Sequence, residues 1–166
     1  ERAYTQIKDN GQENMALCCD FLAWRLALAE EMKPHCSLER RRTELLRHHN
    51  AVWLNIWSGI SAYYYALLGE TEKIPPIFGE HRLSDINMLA PGRPMMLLIE
   101  NQVYLAQGNY AKVSGRSDGQ LSVCEGMHYG LVALHIRIQT AAAYEAMGKW
   151  QEAEQMLTQA ILEAET

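Results

Sequence analysis

The sequence predicts an all-α protein, a stack of antiparallel helix pairs with about eight or nine helices in one domain over residues 1–166. Three observations carry this. Apolar residues recur at spacings of three and four along most of the chain, with no β-hairpin signal between them. Three glycine breaks, Gly69, Gly108 and Gly148, lie 39 and 40 residues apart, and a fixed period of that size marks a helical solenoid. Around Gly148, small and large residues fall where two close-packed helices need them.

Met15 to Met32 reads as an amphipathic helix carrying Leu17, Phe21, Leu22, Trp24, Leu26 and Leu28, closed by Pro34. Ser37 is placed to cap the next helix. Val52 to Leu68 is a long apolar helix ended by Gly69-Glu70. Pro75-Pro76 suits the first turn of a helix running to about Leu89, and Pro91-Gly92-Arg93-Pro94 reads as a loop. Leu97 to Gln107 is helical up to Gly108-Asn109, and Tyr110 opens its partner. Leu134, Ile138, Ala141, Tyr144 and Met147 then share one side of a helix that breaks at Gly148-Lys149. Trp150 opens the last helix, with Ala153, Leu157, Ala160 and Ile161 on one face. A two-residue break forces these last two helices antiparallel.

Counted from Gly148, Ala141 lies seven back and Tyr144 four back, while Trp150, Ala153, Leu157 and Ala160 follow at two, five, nine and twelve. This register resembles the tetratricopeptide (TPR) consensus, and the resemblance implies that the helix pairs wind into a right-handed, TPR-like superhelix. Small residues let paired helices approach, and large ones fill the hole toward the next pair. Around Gly108 the matches are Tyr104, Tyr110 and Val113, whereas Asn101, Ser117 and Gln120 depart. Around Gly69 they are Ala62, Tyr65 and Ile74. The clearest repeats are 95–128 and 129–166, and the period exceeds the roughly 34 residues of TPR proper.

The segments Tyr104 to Tyr110 and Tyr144 to Ala153, with the tail Ala160 to Glu165, are similar to the helical sensor region of MalT-like, ATP-dependent LuxR-type transcriptional regulators. The resemblance covers about Met95 to Thr166. It implies a multidomain parent with an NTPase module before this region and a helix-turn-helix module after it. The sequence itself holds no phosphate-cradling G-x-x-x-x-G-K-[ST] loop and no basic helix pair for a major groove. No cofactor is therefore expected here. ATP would bind an upstream domain, and DNA would be met only through the helix-turn-helix module. A start without Met and an end within a helical pattern fit a fragment of something longer.

The net charge of -5 makes a nonspecific nucleic-acid binder a poor reading. The one basic run, Arg40-Arg41-Arg42 with Arg47, sits among Glu39 and Glu44 and reads as a solvated helix face. Cys18, Cys19, Cys36 and Cys124 fit neither zinc nor a disulfide framework and read as reduced thiols filling a core in a cytoplasmic protein. No run of 18 apolar residues predicts a membrane span.

His35, His48, His49, His81, His128 and His135 lack metal-ligand spacing, and no metal site is expected. Glu30-Glu31 and the Glu70, Glu72 pair read as solvated helix ends, and no nucleophile motif occurs, so no enzyme is expected. The candidate binding set is Trp53, Trp57, Tyr64, Asn101, Tyr104 and Tyr144, on presumed first helices that would line a concave groove. Packing between repeats is the competing reading for these rings. The expected function is a sensor domain binding a small effector or a regulatory protein, in a parent able to oligomerise. A freestanding TPR-like scaffold for protein partners is the alternative.

Overall fold

A computed structural model describes residues 2–9, 11–29, 37–78 and 92–164. Among them are eight α-helices and no strand: α1 (Arg2–Asp9), α2 (Glu13–Leu28), α3 (Leu38–Leu46), α4 (Ala51–Leu68), α5 (Arg93–Ala106), α6 (Tyr110–Gly126), α7 (Gly130–Ala146) and α8 (Trp150–Ala164). Short 3-10 turns at Thr71–Lys73 and Pro76–Phe78 follow α4. The all-helical class and the helix number thus stand as the sequence predicts.

Several boundaries differ. The helix expected from Pro75-Pro76 begins as the 3-10 turn at Pro76–Phe78, and its remainder to Leu89 lies outside the described residues. Pro34 also lies outside them. Arg93 and Pro94, read as loop, are the first residues of α5, because proline lacks an N–H only where the first helical turn needs none. Helix α1 has no counterpart in the sequence reading. Ser37 caps α3 as expected, its Oγ accepting from Arg40 N at 3.2 Å. Asn50 caps α4 in the same way, its Oδ1 accepting from Val52 N and Trp53 N.

The turns explain the long period. Gly69, Gly108 and Gly148 all have φ of +73°, the left-handed conformation in which a Cβ is unfavourable. At each, the following residue reaches back to an aromatic carbonyl: Glu70 N to Tyr65 O, Asn109 N to Tyr104 O, and Lys149 N to Tyr144 O, at 2.8–2.9 Å. A second bond runs from the glycine N–H to the carbonyl three residues earlier, which completes a Schellman ending. His128 ends α6 in the same conformation at φ +57°, with Tyr129 N bonded to Cys124 O at 2.9 Å.

The four last helices therefore turn at residues 108, 128 and 148. Their unit is a single helix plus a short turn, and two units give the 40-residue spacing. The buried register repeats with the turns. Seven before each lie Asn101, Leu121 and Ala141; five after lie Val113, Ala133 and Ala153; twelve after lie Gln120, Thr140 and Ala160. All nine are buried.

Neighbours in sequence pack together: α4 on α5, α5 on α6, α6 on α7 and α7 on α8, while α5 also meets α7 and α2 meets α4. One core cluster joins α4 through α7, around Ile99, Val103, Cys124 and Ile136. A second joins α2, α3 and α4 around Leu17, Leu45 and Trp57. Gly59 permits the α4–α5 contact, since a Cβ there would stand 2.7 Å from Met96 Cε.

One sequence reading is corrected by burial. Arg41 does not lie on a solvated face. It is fully buried, with Glu13, Asp20 and Glu44 around its guanidinium, because its position in α3 faces α2 while Arg40 and Arg42 point outward. Trp150 and Leu157 are 65% and 44% exposed and, with Ile161, form an outer stripe on α8, the last helix described. Ala141, Ala153 and Ala160 are buried, as close helix packing requires.

Candidate functional site

The six aromatic and amide candidates do not gather into one groove. Trp57 is 2% exposed and belongs to the α2–α3–α4 core. Asn101 is fully buried, and it exchanges hydrogen bonds with Gln120 at 2.7 and 3.0 Å. Tyr104 is also buried, donating to Glu100 Oε1 at 3.1 Å under the cations of Lys112 and Arg116. These three are closed off from solvent, since the sides that carry them are the sides on which neighbouring helices pack. The half-buried members are spread out: Trp53 against His48, Tyr64 against Trp24, and Tyr144 beneath Lys149.

Burial raises the pKa of the Tyr104 phenol, and the Glu100 carboxylate raises it further. Glu100 in turn pairs with Arg116 across 2.5 Å, so a charged pair and a phenol tie α5 to α6. Gln139 plays a similar part between α5 and α7, donating to Leu98 O at 3.0 Å and to Gln102 Oε1 at 3.2 Å.

A different site emerges where α2, α4, α5 and α7 meet. There the helices leave a cavity of about 520 Å³. Helix α2 faces it with Leu17, Cys18, Phe21, Leu22 and Arg25, a stripe at the three-and-four spacing of one helix face. Ile56 and Ile60 come from α4, Met95, Met96 and Ile99 from α5, and Val132 and His135 from α7. Leu22 and Leu131 line it while exposed to solvent, so it opens beside them. The size and the apolar lining with few polar groups are those of small-molecule sites.

The polar groups in the lining are defined. His135 Nδ1 stands 2.8 Å from Leu131 O; a carbonyl only accepts, so Nδ1 holds the proton and Nε2 remains for other contacts. Arg25 lies half-buried with its guanidinium 5.9 Å from the Tyr63 ring centroid. The Tyr63 phenol is raised by burial, and the nearby Arg25 charge partly offsets the rise. Cys18 is exposed rather than a core residue, and its thiol is raised by partial burial and by Cys19. Cys124 is buried as expected, and Cys36 lies outside the described residues.

The sequence reading missed this cavity because its walls look like any helix core. The one signal was Arg25 at the end of the α2 stripe, a cation in register with apolar residues. Among the described residues no group of three or more His, Cys, Asp and Glu side chains is arranged to hold a metal ion. No helix among them is long and apolar enough to cross a membrane. His35, His81 and Glu30-Glu31 lie outside the described residues. Comparison with protein-family models, with curated proteins and with solved structures gives no match to this chain.

Proposed function

We propose that this chain is a ligand-binding sensor region, with a small effector held in the apolar cavity between α2, α4, α5 and α7. The cavity is the observation that carries the reading, because it offers a ligand-sized apolar volume bounded by four helices of the stack. An effector there would touch four helices at once, and its binding would favour whichever arrangement of them fits it best.

The parent we have in mind is a MalT-like LuxR-type regulator, on the residue resemblance around Gly108 and Gly148. In that reading the helices wind as a TPR-like right-handed superhelix in a cytoplasmic protein, without catalysis of its own. ATP and DNA would be handled by NTPase and helix-turn-helix modules elsewhere in the parent, and effector binding would promote its oligomerisation. The recurring turns and buried register at residues 108, 128 and 148 support the repeat part of this reading. The coding sequence on either side tests the parentage, which a downstream helix-turn-helix would support and its absence would sink.

The binding part is tested by thermal melting with decan-1-ol, an uncharged apolar probe. Ligand linkage should raise the melting temperature in a saturable way. Met95→Trp and the exposed Leu22→Trp, which both fill the cavity, should abolish the rise. An absent rise, or one that persists in both variants, rules out the cavity as the site. A second reading, a scaffold for protein partners, is favoured by the exposed stripe Trp150, Leu157 and Ile161 on α8. A stable protein partner lost on Trp150→Ser would support it.

A further inference from the structure

Arg25 differs from every other arginine that is not fully exposed among the described residues. Arg41 is surrounded by three carboxylates, Arg116 pairs with Glu100, and Arg137 pairs with Glu163 at 2.6 Å. Arg25 is half-buried like Arg116 and Arg137, yet among the described residues no carboxylate pairs with it. Its neighbours are the Tyr63 ring and the apolar cavity wall. Among the described residues, the cavity lining holds this one formal cation and no Asp or Glu.

We infer that the cavity takes an amphipathic carboxylate, with an unbranched alkyl chain along the apolar wall and its carboxylate on the Arg25 guanidinium. A guanidinium presents a planar fork that matches a carboxylate with two parallel N–H···O bonds. Partial removal from water strengthens that pairing beyond what an exposed arginine gives. With Nδ1 holding the proton, His135 Nε2 only accepts and gives a carboxylate no bond, which leaves Arg25 as the head group's donor in this lining.

Chain length follows from the α2 stripe. Asn14 to Arg25 line the cavity from one end of the stripe to the other, a rise of about 16 Å at 1.5 Å per residue. An extended alkyl chain of about ten carbons is shorter than this and fits within it, so the stripe sets an upper bound on chain length. Leu17, Phe21 and Leu22 lie against its length, and Met95 and Met96 across from them supply flexible, polarizable side chains that adapt to a chain's shape. Neither a sugar nor a nucleotide suits such a wall, because its hydroxyls and phosphates would lose water without partners.

This inference rests on the reading of the cavity as the effector site, and the experiment separates the two. Decanoate and decan-1-ol share the chain and differ in the head group. Isothermal titration of the wild-type chain at low ionic strength should show decanoate bound at least about tenfold more tightly, or about 1.4 kcal/mol. Arg25→Gln should weaken decanoate to the level of decan-1-ol and leave decan-1-ol unchanged. Arg25→Lys should restore part of the preference, since a point charge replaces the fork. Equal affinity for both probes in the wild type, or a preference that survives Arg25→Gln, overturns the carboxylate inference while leaving the cavity reading intact. Binding of neither probe overturns both. Because position 25 is half-exposed and Gln is a good helix former, the variant should keep the wild-type helical spectrum and melting curve without ligand.

Discussion

Arg41 of α3 donates from Nε to Asp20 Oδ2 of α2 across 2.7 Å, with both side chains buried. Glu13 of α2 bonds the same guanidinium, and Glu44 receives Nη1 at 2.9 Å. The cost of burying these charges is met by their mutual pairing, so the cluster fixes how α2 sits on α3 more than it adds net stability. Removing one partner is the severe change. Arg41→Met should cost about 3–5 kcal/mol, because Asp20 and Glu13 lose their cation. Adding Asp20→Asn to it should recover part of the loss, measured by urea unfolding. A cost below about 1 kcal/mol for Arg41→Met, within the range of exposed pairs, would contradict the burial.

Asn101 and Gln120 stand where Ala141 and Ala160 stand 40 residues later, seven before and twelve after the turn glycine. Two small buried residues in one pair thus give way to a reciprocal amide pair in the other. Each single alanine variant leaves a buried amide without its partner and should cost about 1–3 kcal/mol. The double variant should cost less than the sum, with a coupling of about 1 kcal/mol or more in a double-mutant cycle. Additive costs would show that the two amides do not depend on each other.

How much of this was legible in advance depends on the kind of signal. Gly69, Gly108 and Gly148 were readable because a left-handed turn has few residues that suit it. The turn at His128 was not, since histidine there carries no such mark, and the half-period of 20 residues stayed hidden with it. Asn101 and Gln120 looked like failures of a repeat, yet a complementary pair of departures is itself a contact. Arg41 looked solvated because its partners, Glu13 and Asp20, lie 28 and 21 residues away. The aromatic candidates were ambiguous for a related reason: a ring at helical spacing is the same in sequence whether it meets a ligand or the next helix. A cavity is the absence of side chains, and periodicity records only those present.

His128 adopts φ of +57° where its counterparts are glycines. A β-carbon in that region costs energy that glycine does not incur. His128 is exposed, so little packing is lost with the imidazole. His128→Gly should therefore raise stability by about 0.5–1 kcal/mol, and Gly148→Ala should lower it by a similar amount or more. Thermal melting of the two variants checks the pair. Opposite signs are required, and a stabilising Gly148→Ala would refute the turn assignment.

Tyr63, Tyr65 and Tyr104 all have phenols raised above the ordinary value of 10.0, chiefly by burial. The folded chain thus holds these protons more tightly than the unfolded chain. The stability linked to them is fully present below about pH 10 and is lost as pH climbs through the raised values. Melting temperature should fall as pH rises above about 10, with the tyrosinate absorbance rising in step with unfolding. Tyr104→Phe should flatten part of that fall, while costing about 1 kcal/mol at neutral pH for the lost bond to Glu100. A melting temperature constant to pH 12 would contradict the burial of all three.

Helix α6 contains Gly115 and Gly119, both exposed and both with open space where a Cβ would go. Their φ values are not left-handed, so nothing in the backbone asks for glycine. Each glycine leaves the unfolded chain with freedom that folding must remove, about 1 kcal/mol relative to alanine in a helix interior. Gly115→Ala and Gly119→Ala should each stabilise by about 0.5–1 kcal/mol. They lie four residues apart on one open face, so their effects should add within about 0.5 kcal/mol unless the two methyl groups touch. Denaturant midpoints at unchanged slope give the measurement. A loss of stability in either variant would mean that a partner covers this face of α6, and titration of that partner against the double variant would then locate the contact.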